Sequence, residues 1–155
     1  MVQITVESIA AFLCAHEHLA DVDSNKQQIS SAFILEGKQY PLFIRIFGEG
    51  NLLQLLTFLP SESGNPLEKI HFADVARLLH LLNKELNLPG FGMDEMAGLI
   101  FYRLMIPTPH GEIAKELLLS FLQAIETICQ TFNPAIEVVA SGKDRIDNIL
   151  KQIHQ

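Results

Sequence analysis

The chain has 155 residues, a formal net charge of −7, 48% hydrophobic residues and only 19% charged ones. That balance excludes disorder, and eleven basic residues against eighteen acidic ones argue against a nucleic-acid surface, which needs excess Lys and Arg. The length suits one domain that buries a core without metal or disulfides, yet an apolar excess remains, with a mean hydropathy of +0.23.

Ile4, Ile9, Phe12, Leu13, Ala15 and Leu19 recur at helical spacing and predict a first helix over residues 4–20, with Thr5 or Ser8 near its start. The polar run Asp21-Val22-Asp23-Ser24-Asn25-Lys26 reads as a loop. Then the period changes. Ile29 to Leu35, Tyr40 to Phe47 and Leu52 to Leu59 are apolar runs of strand length. Glu36-Gly37-Lys38-Gln39 and Gly48-Glu49-Gly50-Asn51 separate them, and glycine supplies the positive φ of hairpin turns. Pro41 is expected at the start of its strand or on an edge, where a missing N–H is tolerated. Pro60 to Pro66 ends this meander as a surface loop.

A second helix is expected over residues 72–87, with Phe72, Val75, Leu79, Leu82 and Leu86 on one stripe. A fourth strand, Phe91 to Asp94, turns through Glu95-Met96-Ala97-Gly98 into a fifth, Leu99 to Ile106. The third helix is expected from Glu112 to Thr131, carrying Ile113, Leu117, Phe121, Ile125 and Ile128. Asn133-Pro134 then reads as an N-cap followed by a first-turn proline, which predicts a separate short helix over Ala135 to Ala140. Ser141-Gly142 breaks it, and a final helix runs from Asp144 to His154. The expected class is α+β: a five-stranded antiparallel sheet, three-strand meander plus hairpin, packed by helices in the order α-β-β-β-α-β-β-α(-α). Residues 1–142 form the domain and residues 143–155 a C-terminal helical tail.

No catalytic signature accompanies these elements. His16 and His18, two apart on a helix, would point about 200° apart, and His71, His80, His110 and His154 have no ligand spacing. No metal and no cofactor is expected. Gly-x-Ser-x-Gly is absent, and Gly48-Glu49-Gly50 opens a strand instead of a phosphate-binding helix. Asp94 and Glu95 read as solvated groups beside a turn. Cys14 and Cys129 lie in apolar helical stretches and read as buried, reduced thiols. Met1-Val2-Gln3-Ile4 lacks the basic start of a signal peptide, and no apolar run approaches the roughly 20 residues that span a bilayer. A cytoplasmic, non-enzymatic protein without membrane insertion is expected.

The strands carry the functional signal. A half-exposed antiparallel sheet alternates apolar and polar residues. Here Leu42, Ile44 and Ile46 take one face, while Phe43, Arg45 and Phe47 take the other. Leu53, Leu55 and Leu59 share a face with Thr57, whereas Leu52, Leu56 and Phe58 share one with Gln54. Ile100, Tyr102, Leu104 and Ile106 oppose Leu99, Phe101, Arg103 and Met105. The second face is thus apolar with isolated polar residues, a pattern of interaction surfaces. Either this chain's own helices cover it, or a protein partner does. The candidate partner-binding residues are Phe43, Arg45, Phe47, Gln54, Phe101 and Arg103.

The order helix, meander, helix, hairpin, long helix resembles the type III secretion chaperone-like fold. That fold includes the class I (CesT/SycE-like) secretion chaperones and the YbjN sensory-transduction-regulator family. The leucine-rich run Leu78-Leu79-His80-Leu81-Leu82-Asn83-Lys84-Glu85-Leu86-Asn87, followed by Phe91-Gly92-Met93-Asp94, is similar to the family pattern of a helix ending near asparagine before a strand. Gly98-Leu99-Ile100-Phe101-Tyr102-Arg103 resembles the next strand. Phe132-Asn133-Pro134-Ala135-Ile136 is similar to the aromatic-x-Pro-x-aliphatic end of the YbjN third helix. The resemblance covers residues 1–142. It implies a bacterial, homodimeric protein-binding module that escorts a client such as a type III secretion effector. The YbjN branch implies instead a regulatory domain acting in a signalling complex or binding a small ligand, for which a closed, helix-lined cavity would speak.

Overall fold

The predicted hairpins form because their turns carry the residues that the geometry demands. A computed structural model describes residues 1–153. In chain order its elements are β1 (Val2–Gln3), α1 (Val6–Ala15), β2 (Asp21–Asp23), β3 (Gln28–Leu35), β4 (Lys38–Phe47) and β5 (Leu52–Phe58). There follow α2 (Phe72–Glu85), β6 (Phe91–Asp94), β7 (Leu99–Pro107), β8 (Glu112–Ile113), α3 (Lys115–Ala140) and α4 (Ile146–Ile153). The pairing of Leu35 with Lys38 leaves a two-residue loop, in which Glu36 (φ 52°) and Gly37 (φ 76°) both take positive φ. This is the type I′ geometry, whose twist matches that of the flanking strands. At the β6–β7 turn the Asp94 carboxylate accepts the N–H groups of Met96 and Ala97, each at 3.1 Å, so it braces the turn.

The main sheet has six antiparallel strands, ordered β2-β3-β4-β5-β7-β6, where five were expected. The additional strand is β2, which the sequence presents as loop. All three of its residues are exposed, so it has no apolar alternation, and only its pairing with Gln28–Ser30 defines it. A two-stranded ribbon joins β1 to β8. Glu112–Ile113, expected to begin the third helix, therefore anchors the N-terminus, and α3 starts at Lys115. The first helix is also shorter than expected. The Thr5 hydroxyl accepts the Ser8 N–H at 3.2 Å and starts it, and it stops at Ala15, so His16 and His18 lie beyond its end.

The α3 helix departs most from expectation. It runs unbroken through Pro134, and no separate helix begins at Ala135. Asn133 does not cap anything: its side chain turns into the core, where Nδ2 donates to the Tyr40 hydroxyl at 3.0 Å. An interior proline costs about 3 kcal/mol. Continuing the helix buries Ile136 and Val139, each 1% exposed, and each such side chain contributes about 1.5–3 kcal/mol. Burial wins.

Pro41 sits within β4, opposite Ala32, but the β4–β5 ladder starts only at Leu42 and Thr57. Its carbonyl accepts the Thr57 hydroxyl at 2.7 Å, so its nitrogen faces the same side, past the ladder's end, and no ladder bond is lost.

The helices pack on one sheet face. Ile29, Phe33, Leu42, Ile44, Leu53, Leu55 and Tyr102 meet Ile9, Leu13, Val75, Leu79, Leu118, Leu122 and Ile125 in one cluster. Cys129 is buried there, and burial pushes its thiol up to about 12. Cys14 is exposed, contrary to expectation, because α1 gives Val6, Ile9, Phe12 and Leu13 to the core and position 14 falls off that stripe. The tail joins the same core. Ile146 is buried, Ile149 and Leu150 pack against the cluster, and ion pairs Arg145–Asp74 (2.6 Å) and Arg77–Asp147 (2.7 Å) tie α4 to α2. His154, where the final helix was expected to end, and Gln155 lie outside the described residues.

Candidate interaction surface

Strand alternation sends every second residue of β4, β5 and β7 away from the helices, and among the described residues no helix lies over that face. Phe43, Phe47, Leu52, Gln54, Leu56, Phe58 and Phe101 are half-buried, while Arg45, Leu99, Arg103 and Met105 are exposed. Registers across the sheet align them in rows. Arg45 stands beside Gln54 and Gln54 beside Met105; Phe43 and Arg103 flank Leu56; Phe101 lies between Phe58 and Gly92. All six candidate residues share this face.

Local contacts hold the aromatic side chains. Phe43 and Phe58 meet edge to face, with centroids 5.8 Å apart and planes at 71°. The Arg45 guanidinium carbon stands 4.8 Å from the centre of the Phe47 ring. Phe101 lies across Gly92, where an added Cβ would fall 2.5 Å from its Cζ, so a larger residue would push the ring from this position. Among the described residues neither Arg45 nor Arg103 has a carboxylate within 4.0 Å. Phe58 and Leu56 join the candidate residues on this face, a placement their period-2 spacing makes readable, whereas Gly92's role under Phe101 has no sequence signal.

Apart from this face, a cleft of about 790 Å³ lies between the Pro60–Glu68 loop and the C-terminal half of α3. It opens to solvent. Glu62 secures the loop, pairing with Lys38 (3.7 Å) and Lys143 (3.5 Å) while its N–H donates to Glu137 at 3.2 Å. Burial raises the pKa values of Tyr40, Tyr102 and Cys129, none of which lines this cleft. The Arg145 hydrogen bond holds Asp74 below the ordinary carboxylate range, at the α4 dock. No group of three potential metal ligands occurs among the described residues, and no helix there is long and apolar enough to cross a membrane.

Residues 5–138 match the model of the YbjN family, described as "Putative bacterial sensory transduction regulator". The chain belongs to the YbjN family. Its fold is similar to that of a chain in the crystal structure of the ExsC–ExsE complex, at 14% identity and a TM-score of 0.54, covering 84% of this chain and 95% of that one. A chain of the HopA1–SchA chaperone–effector complex matches at 18% identity and a TM-score of 0.49, over 80% and 88% of the two chains. At such identities the ExsC–ExsE likeness is one of fold. No curated protein matches the chain. The YbjN match spans the sheet and most of α3, including the leucine-rich and Asn-Pro segments that carried the resemblance in the sequence.

Proposed function

We propose that this YbjN-family chain is a non-enzymatic, homodimeric, cytoplasmic protein-binding module that escorts a protein client, of which a type III secretion effector is one example. The observation that carries this reading is the helix-free sheet face, where aromatic and aliphatic side chains surround two arginines without carboxylate partners. Phe43, Phe47 and Phe101 would take apolar client side chains, and Arg45, Gln54 and Arg103 its carboxylates and amides. Titratable groups shifted by burial belong to the core and not to the cleft, which favours binding over catalysis. The test is copurification from the native host, followed by titration of the identified client with wild type, Phe43→Asp and Phe101→Asp. Each variant should weaken binding at least about tenfold, the scale of an aromatic anchor, while its circular dichroism spectrum shows the chain still folded. Unchanged folding and association in both variants would sink the proposal.

The family match favours a second reading, a regulator held in a signalling complex. The identity of the client decides between them: a secreted protein supports escort, a signalling component supports regulation. Small-ligand sensing gains little support, since the cleft is open and lined largely by loop.

A further inference from the structure

The two ends of the six-stranded sheet are finished differently. At the β6 end Asn83 of α2 reaches the edge. Its Oδ1 accepts the N–H groups of Gly90 (3.1 Å) and Phe91 (3.0 Å), and its Nδ2 donates to the Phe91 carbonyl at 2.9 Å. A side-chain amide stands where a neighbouring strand's peptide would, and strand addition at Phe91 is blocked.

At the other end β2 covers only Gln28–Ser30 of β3, so Ser31 to Leu35 form a sheet edge. Two hydrogen bonds fix where the backbone groups of this segment point. Ile46 N–H donates to the Gln27 carbonyl at 3.0 Å, and the Pro41 carbonyl faces Thr57 on the β5 side. Ile29, Ser31, Phe33 and Leu35 therefore direct their peptide groups to β4, while Ala32 and Ile34 direct theirs outward. No bond among the described residues takes the N–H or C=O of Ala32 or Ile34. The segment has no charge or proline to guard it, and Ile34 is 75% exposed.

We propose that this edge pairs with the same edge of a second copy of the chain, antiparallel about Phe33. Ala32 then opposes Ile34 of the second copy, and the two Phe33 residues oppose each other. This register uses the outward N–H and C=O of both residues in both copies, which gives four main-chain hydrogen bonds. Sliding by two residues would enlist Ser30, already paired with Asp21, or Glu36, held in the turn at φ 52°. That register matches the edge to itself, as an isologous contact between two copies requires. Two sheets of six strands would join into one of twelve, with both open faces on the same side. The inference deepens the homodimer of the proposed function and rests on that reading.

Sedimentation equilibrium of the full chain from about 1 µM to about 1 mM tests it. Wild type should dimerise, with amide exchange slowed at Ala32 and Ile34. Ala32→Pro removes an outward donor and no internal one, and Ile34→Lys charges an exposed position. Each should weaken association at least about tenfold, and Ile34→Lys should melt like wild type at a concentration where both are monomeric. A wild type that stays monomeric, or a dimer indifferent to both variants, overturns the pairing. A dimer broken by Phe43→Asp and not by Ile34→Lys overturns the edge alone and leaves the open face as the binding surface. Loss of client binding without loss of dimer in Phe43→Asp supports the edge, provided that Ile34→Lys dissociates the dimer.

Discussion

Asn83 should be worth more to stability than its place on a charged, leucine-rich helix suggests. Replacing it with alanine removes three hydrogen bonds to the backbone at Gly90 and Phe91. A net hydrogen bond contributes about 1 kcal/mol, and a buried group left without a partner costs about 1–3 kcal/mol. Phe91 is only 6% exposed, so its N–H and C=O regain little water, whereas Gly90 is half-buried and recovers more. The expected loss for Asn83→Ala is therefore about 2–4 kcal/mol, some of it from loosened docking of β6 on α2. For a domain of this size that corresponds to a melting temperature lower by roughly 4–16 °C. Urea unfolding should show a lower midpoint at constant slope, the mark of a stability change without a change in exposed surface. Asn83→Leu keeps the bulk and loses the bonds, so it should cost about as much as alanine. Both variants within about 0.5 kcal/mol of wild type would refute the reasoning, and a leucine that restored stability would assign the effect to packing.

Cysteine accessibility gives a second check: iodoacetamide should modify exposed Cys14 in the folded chain, while Cys129, its thiol pushed up to about 12, should react only on unfolding. Equal rates at both would contradict the burial of α3. The α4 dock should also respond to acid. Arg145 depresses the Asp74 pKa, so the ion pair's contribution is fully present above the unfolded value of about 3.9 and is lost as pH falls through the lowered pKa. The melting-temperature gap between wild type and Asp74→Asn should persist at neutral pH and close in strong acid; a gap independent of pH would exclude this role.

Where backbone geometry and side-chain polarity point the same way, the sequence is readable. Glu36-Gly37 announces its hairpin because a two-residue turn needs positive φ twice, and the alternation Leu42, Phe43, Ile44, Arg45 assigns both faces of β4. Asp21-Val22-Asp23 carries no such sign, since an exposed edge strand has nothing to bury and its identity lies in pairing with Gln28–Ser30. Asn133-Pro134 was misleading for a different reason. Locally it is a good helix start, but tertiary burial of Ile136 and Val139 and a partner hydroxyl on Tyr40 outweigh the local preference. The candidate surface was legible as a set of alternate residues, whereas the absence of a helix over it was not: that depends on where α1, α2 and α3 pack, a matter of topology beyond any strand's own pattern.

Under the proposed function, the open face would be arranged for binding in a way that composition alone does not disclose. Ordering a free aromatic or arginine side chain at an interface costs about 0.5–1.5 kcal/mol each. Phe43 already rests on Phe58, Phe101 on Gly92, and Arg45 on Phe47, so part of that ordering is complete before a client arrives. Charge acts at two ranges. The chain as a whole carries −7, but physiological salt largely screens that field beyond roughly 8 Å. Within that distance Arg45 and Arg103, without carboxylates of their own, attract an acidic client. In such salt the net charge therefore steers an acidic segment only weakly, while close contact with the two arginines rewards it. A client bound there as proposed would be selected by fit on the sheet, through how long it stays, more than by the speed of encounter.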